Sequence, residues 1–219
     1  MSYIFLSHVF DADTPLYGGA KGWECIKDKE IQKGDSCNTS LFKLPGHAGT
    51  HVDAPLHFIE NGKSLEEYTA ENWVFSNPVL IFLEPEKGGI IKPEDLNVSQ
   101  SDQTDMVLFC TPFEKCRSHE IYWKENPGIA PETADYLLEQ CPNLKIIGMN
   151  FISISSFKHR DIGRLSHKAF LGKGIRIIED MHLLPLQPDD HIKRVIVLPL
   201  RITAGDGAPC TVIAQKEKS

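Results

Sequence analysis

Apolar positions along this chain come in short runs separated by polar turns, with few of the three-to-four-residue periodicities that mark amphipathic helices. Residues 3–10, 37–44, 78–83, 106–110, 144–154, 175–179, 194–203 and 210–214 are rich in Val, Ile, Phe and Leu, and Gly, Pro or Asp punctuates most of their ends. They predict strands enough for a substantial sheet. One clear helix is predicted from Pro131, with Ala134, Leu137, Leu138 and Cys141 on one face and Pro142 as its stop. Weaker helical patterns cover residues 64–73 and 166–171. The second ends at Gly172 and Gly174, which would place His167 in its first turn. Strands and helices alternate only in part, so the pattern predicts an α/β arrangement with a mixed sheet, not a regular doubly wound one. Residues 100–105 are polar and read as a surface loop, and no repeat or linker interrupts the chain.

Composition narrows this picture. A chain of 219 residues, 41% hydrophobic and 24% charged, is most economically one globular domain spanning residues 1–219. Its net charge of -7 argues against nucleic acid as a partner, and the short basic groups Lys158–Arg160 and Lys216 with Lys218 read as solvated surface. No apolar run is long enough to span a bilayer and no leader pattern opens the chain, so a cytoplasmic protein without membrane partners is expected. Cys25, Cys37, Cys110, Cys116, Cys141 and Cys210 form no Cys-x-x-Cys pair and read as reduced thiols, with none marked as a nucleophile.

The chemistry is concentrated in eleven residues, His47-Ala-Gly-Thr-His51-Val-Asp53-Ala-Pro-Leu-His57. Imidazole and carboxylate are ligands for zinc, manganese or iron. His47 and His51 have helical metal-pair spacing, but Gly46, Gly49 and Pro55 oppose a helix. An extended segment instead puts residues 47, 49, 51, 53 and 57 on one face, with Gly49 leaving space between the polar groups. On a straight strand His51 and Asp53 stand roughly 7 Å apart, but His47 lies roughly 13 Å from His51. The chain must therefore bend between them, at Gly46 or Gly49, while Pro55 turns His57 over the ion without making it a ligand. Without a metal, so many polar groups on one face would be costly to bury. Further ligands are sought downstream: His167, and Glu179 at the end of an apolar run, with Asp180 and His182 as competitors for the same role.

The segment from His47 to His57 resembles the signature of the metal-dependent cyclase family, H-x-G-T/A-H-x-D-x-P-x-H, which includes bacterial kynurenine formamidase and isatin hydrolase. Pro127-Gly-Ile-Ala-Pro-Glu, Gly148, His167 twelve residues before Glu179, Leu198-Pro-Leu and Asp206-Gly-Ala-Pro extend the resemblance over essentially the whole chain. It implies a swivelling β/β/α fold, assembled as a homodimer or homotetramer. It also implies that His47, His51 and Asp53 hold one ion, that Asp53 bridges to a second held with His167 and Glu179, and that His57 is the unligated acid or base. Zinc is the implied ion, with manganese as the alternative. Tyr17-Gly18 matches an N-terminal element near the substrate. Two positions depart from the pattern: Asn150 stands where the family often has aspartate, and Gly18-Gly19 where it usually has proline-glycine.

The resulting expectation is a metal-dependent amidohydrolase in which bound water is activated and His57 shuttles the proton to the leaving nitrogen. The small-molecule substrate is an aryl formamide such as N-formylkynurenine, with isatin-like lactams, lactones or a cyclase reaction as alternatives. A protein that binds metal or a small acid without turnover is the rival class. A serine triad finds no Gly-x-Ser-x-Gly elbow, and Ser153-Ile-Ser-Ser156 carries no mark of activation.

Overall fold

Each of the eight apolar runs contains or overlaps a strand in the computed structural model, which describes residues 2–20 and 22–217. In chain order the strands are β1 (Ser2–Phe5), β2 (Glu24–Lys29), β3 (Thr39–Lys43), β4 (His51–Asp53), β5 (Val74–Phe75), β6 (Pro78–Phe82), β7 (Ile90–Ile91), β8 (Met106–Cys110), β9 (Gly128–Ile129), β10 (Ile146–Met149), β11 (Arg176–Glu179), β12 (Ile192–Pro199) and β13 (Gly207–Lys216). The helices are α1 (Ile121–Lys124), α2 (Thr133–Gln140) and α3 (Arg160–Gly172). The main sheet runs β5-β12-β13-β4-β11-β10-β8-β6, with β1 also paired to β13. It is mixed, as expected. β6, β8, β10 and β11 are parallel neighbours, whereas β4, β5, β12, β13 and β1 join antiparallel. The parallel neighbours need crossovers, and α1, α2 and α3 lie in those connections.

Side chains of the central strands alternate between two cores. Val107, Phe109, Ile147 and Ile177 pack with Leu137 of α2 and Phe170 of α3. Met106, Leu108, Ile146 and Ile178 face the other way and share a cluster with Val195, Val197 and Val212. The antiparallel part of the sheet therefore curls over the second face of the parallel part. Burial on both faces explains why these strands read as unbroken apolar runs.

Two predicted elements changed on folding. The pattern over residues 64–73 resolves into two 3-10 turns, Leu65–Glu67 and Ala70–Trp73, each closed by a capping box. The helix expected at 166–171 is longer, beginning at Arg160, so His167 lies in its second half and not in its first turn. Its buried stripe is Gly163, Ser166, His167, Phe170 and Leu171. That stripe has helical spacing, but its first half lacks an apolar side chain that would have announced it. Lys216 is half-buried and paired with Asp190, unlike the solvated tail predicted, and Lys218 lies outside the described residues.

Gly163 is also a steric requirement, because a β-carbon there would overlap the Ser155 side chain. Alanine ordinarily gains up to about 1 kcal/mol over glycine within a helix. Here overpacking should prevail, so Gly163→Ala is expected to cost about 1–3 kcal/mol, roughly 2–10 °C in Tm by thermal melting.

Candidate metal centre

The site is built on β4. Within its three residues, Val52 is buried in the apolar core while His51 and Asp53 point to the other face. β4 runs antiparallel between β11 and β13, in a register that sets His51 opposite Glu179 on one side and Asp53 opposite Gly207 on the other. Directly opposed residues are close enough to share a ligand. His51 Nε2 lies 3.4 Å from Asp53 Oδ1 and 3.5 Å from Glu179 Oε2. Its Nδ1 is 2.8 Å from the Gly49 carbonyl, which aims Nε2 at the carboxylates.

The bend required before β4 occurs at Gly49, with φ of +57°. Only residues 51–53 of the proposed extended segment form strand, and Pro55–His57 is a 3-10 turn. Gly49 does not leave open space among the ligands, since the Phe10 ring occupies the place of its side chain. The bend returns His47 to Asp53, with Nδ1 2.7 Å from Oδ1. Gly207 makes this approach feasible, because any side chain there would overlap the His47 ring.

His167 arrives from α3. Its Nδ1 is 2.8 Å from the Gly163 carbonyl, and its Nε2 is 3.4 Å from Glu179 Oε1 and 3.6 Å from Asp53 Oδ2. Phe58 stacks on its ring at 4.3 Å. Glu179 is held in turn by donors from Ser153 Oγ at 2.9 Å and Ile154 N–H at 2.8 Å. His47, His51, Asp53, His167 and Glu179 therefore meet in one buried or half-buried cluster. His57 stacks on His47 at 3.8 Å, and its ring nitrogen also stands within ligand spacing of His47 and Asp53.

Asp206 completes the arrangement. Its Oδ2 lies 3.0 Å from His47 Nε2 and 3.3 Å from His57 Nδ1. No role for it was read from the sequence, although Asp206-Gly-Ala-Pro was among the matching segments; the available signal was an acid immediately before a glycine in a terminal strand. The two competing ligands are engaged elsewhere. Asp180 takes two bonds from Arg117 at 2.8 and 2.7 Å and one from Tyr122 at 2.6 Å, and His182 pairs with Glu114.

Burial alone would favour a protonated Asp53, but hydrogen bonds and charge from His47 and His51 hold it well below the usual carboxylate range. Burial likewise opposes charging of His47, yet Asp53 and Asp206 outweigh it and raise the imidazole to about 9. His51 is raised mainly through Asp53, and His167 through Glu179, again against burial. His57 differs, because burial prevails and lowers it. Asp53 Oδ2 remains buried without a hydrogen-bond partner. An orphaned carboxylate oxygen among imidazoles whose charge it must itself induce fits a cation-binding centre.

Metal loading should consequently displace protons. In the metal-free protein the His47 pairing stabilises the fold below pH 6.5, and that contribution is lost as pH rises through about 9. Zinc must compete with this proton, so apparent affinity is expected to climb with pH up to about 9, with proton release at neutrality. Calorimetric titration in buffers of different ionisation enthalpy measures both.

The centre opens into a cavity of about 510 Å³ lined in part by Tyr17, Phe58, Arg160 and Arg164. Tyr17 Oη reaches Ser155 Oγ at 3.4 Å. Gly18, at φ +76°, adopts a conformation closed to proline, which accounts for one departure from the expected pattern. Asn150 sits away from the cavity, donating to Glu114 and accepting from Thr111. Burial pushes Cys110 up to about 12, a poor setting for a nucleophilic thiol.

The sequence model of the cyclase family matches residues 4–156. The chain belongs to the cyclase family. A kynurenine formamidase of Bordetella avium is 26% identical to this cyclase-family chain over 212 residues, which are 96% of this chain and 92% of that protein. An uncharacterized Haemophilus influenzae protein is 35% identical over 133 residues, 58% of this chain and 92% of its own. Among solved structures, isatin hydrolase A from Labrenzia aggregata has the same fold, with a TM-score of 0.80 at 23% identity, covering 97% of this cyclase-family chain and 93% of its own.

Proposed function

We propose that this protein is a metal-dependent hydrolase of an amide or related acyl bond, its best substrate an aryl formamide of the N-formylkynurenine type. The observation that carries the reading is the placing of His57, an imidazole whose pKa burial lowers, beside a buried donor cluster and within 3.3 Å of the half-exposed carboxylate of Asp206. His47, His51 and Asp53 would hold one ion, and Asp53, His167 and Glu179 a second, with zinc favoured by the nitrogen-and-oxygen donor set and manganese as the alternative. When bound, such an ion supplies Lewis acidity that polarises a carbonyl and acidifies water. His57 donates Nδ1–H to Asp206, which leaves Nε2 free to take a proton from water and return it to the leaving nitrogen. Ser153 and the Ile154 amide keep Glu179 in position without movement.

Arg160 supports the choice of substrate. Its guanidinium lies 4.2 Å over Phe157 and 5.6 Å over Tyr17, with no acidic partner among the described residues. A cation held at the cavity wall suits a substrate bearing a carboxylate. The kynurenine formamidase of Bordetella avium and the isatin hydrolase of Labrenzia aggregata indicate which panel to offer: N-formylkynurenine, formanilide, isatin and a lactone. Arg160→Ala is expected to raise KM for N-formylkynurenine about tenfold and leave formanilide unchanged. Equal effects on both would remove Arg160 from recognition, and no turnover of any compound at full metal occupancy would favour a binding protein. We further propose a homodimer or homotetramer acting in the cytoplasm. The exposed Ile26, Leu41 and Phe42 on the β2–β3 ribbon support self-association. No helix of the described residues is long and apolar enough to cross a membrane.

A further inference from the structure

We propose that His8, Glu114 and His182 form a second cation-binding site, sharing no residue with the Asp53 cluster and suited to a borderline divalent metal such as zinc. The residues come from three distant parts of the chain: the segment after β1, the 3-10 turn Pro112–Cys116 after β8, and the loop that follows β11. One nitrogen of each imidazole and one Glu114 oxygen all lie within 4.8 Å of one another. His182 Nδ1 is 2.6 Å from Glu114 Oε1, and His8 Nε2 is 3.5 Å from the same oxygen.

The carboxylate is built for this. Glu114 is 3% exposed, and its Oε2 accepts from Leu183 N–H at 2.9 Å, Leu184 N–H at 3.0 Å and Asn150 Nδ2 at 2.9 Å. Those donors fix the group and leave Oε1 facing the two imidazoles, the arrangement by which surrounding hydrogen bonds orient a ligating carboxylate. No lysine or arginine pairs with Glu114 among the described residues, since the nearby Arg117 is committed to Asp180. A buried carboxylate without a permanent cation is expensive. His8 adds the second requirement: its Nε2 is buried and has no hydrogen-bond partner, while its backbone N–H is anchored to Thr50 Oγ1 at 3.0 Å.

Two histidines and one glutamate are a zinc-type donor set, distinct from the all-oxygen sets of calcium and magnesium. Three protein ligands leave a fourth position, and His8 and His182 both line a surface groove of about 830 Å³ through which an ion or an exogenous ligand can enter. Glu114 and Asn150 act together here, because an aspartate at 150 would place a second negative group against Glu114 Oε2.

The test removes the Asp53 cluster from the measurement. In an Asp53→Asn protein with the exposed Cys25 and Cys37 changed to serine, zinc titration by calorimetry is expected to find one equivalent and a matching rise in Tm. Adding His8→Asn, which leaves the Glu114–His182 hydrogen bond intact, should weaken that binding at least tenfold; adding His182→Asn as well should abolish it. Melting of each protein without zinc establishes that it is folded. Cobalt substitution gives an independent readout, as visible absorption should appear in the Asp53→Asn background, need at least tenfold more cobalt with His8→Asn, and disappear when His182→Asn is added. Zinc uptake that is absent from Asp53→Asn, or unchanged by loss of both histidines, would overturn the proposal. Neither result depends on any substrate being turned over, so failure here is distinguishable from failure of the hydrolase reading.

Discussion

Asp53→Asn is expected to strip metal from the central cluster and to lower hydrolysis by at least about a thousandfold, a loss of roughly 4 kcal/mol in transition-state stabilisation. The asparagine keeps the shape and can still accept from His47 Nδ1, so the fold should survive. What disappears is the charge on which His47, His51 and His167 converge. Without it, Asp206 alone is left to oppose burial at His47, and the pKa of the imidazole should fall from about 9. Elemental analysis with and without Asp53→Asn, both in a His8→Asn/His182→Asn background, and activity on N-formylkynurenine check the two halves separately. Retention of the wild-type complement by the central cluster would show that Asp53 is not the shared ligand.

His57→Ala should have the opposite signature: metal content unchanged, but kcat lower by about 10²–10⁴, the usual contribution of a positioned acid–base group. The stacking partner His47 remains fixed by Asp53 and Asp206, so the donor cluster should not collapse. Wild-type kcat/KM should show an acidic limb below pH 6.5, because burial lowers the His57 pKa and the base must be neutral to accept a proton. That limb should vanish in the variant, and exogenous imidazole should restore part of the rate. Loss of metal with loss of rate would instead make His57 a ligand, which its spacing from His47 and Asp53 also permits.

Much of the sheet was legible because parallel strands buried on both faces are written as short, largely apolar runs. β4 was harder to place, since three residues of alternating polar and apolar character make no run. The start of α3 was hidden for a related reason: its inward positions there are Gly163 and Ser166, which pack closely without being apolar. The bend at Gly49 was anticipated from spacing, yet its immediate surroundings were not, because the Phe10 ring that fills the space comes from a remote segment.

By itself the sequence determined the local facts about the centre: the donor types, the single face shared by His51 and Asp53, and the need for a turn before them. Those follow from the two-residue period of a strand and from the backbone preferences of glycine and proline. Only the tertiary structure decided which acids meet which imidazoles. β4–β11 pairing brings Glu179 to His51, Asp206 crosses 149 residues to reach His57, and Asp180 and His182, though adjacent to or near Glu179 in sequence, turn to other partners. Strand neighbours and their register are chosen by the burial of two apolar cores over the whole chain, so local spacing cannot specify them.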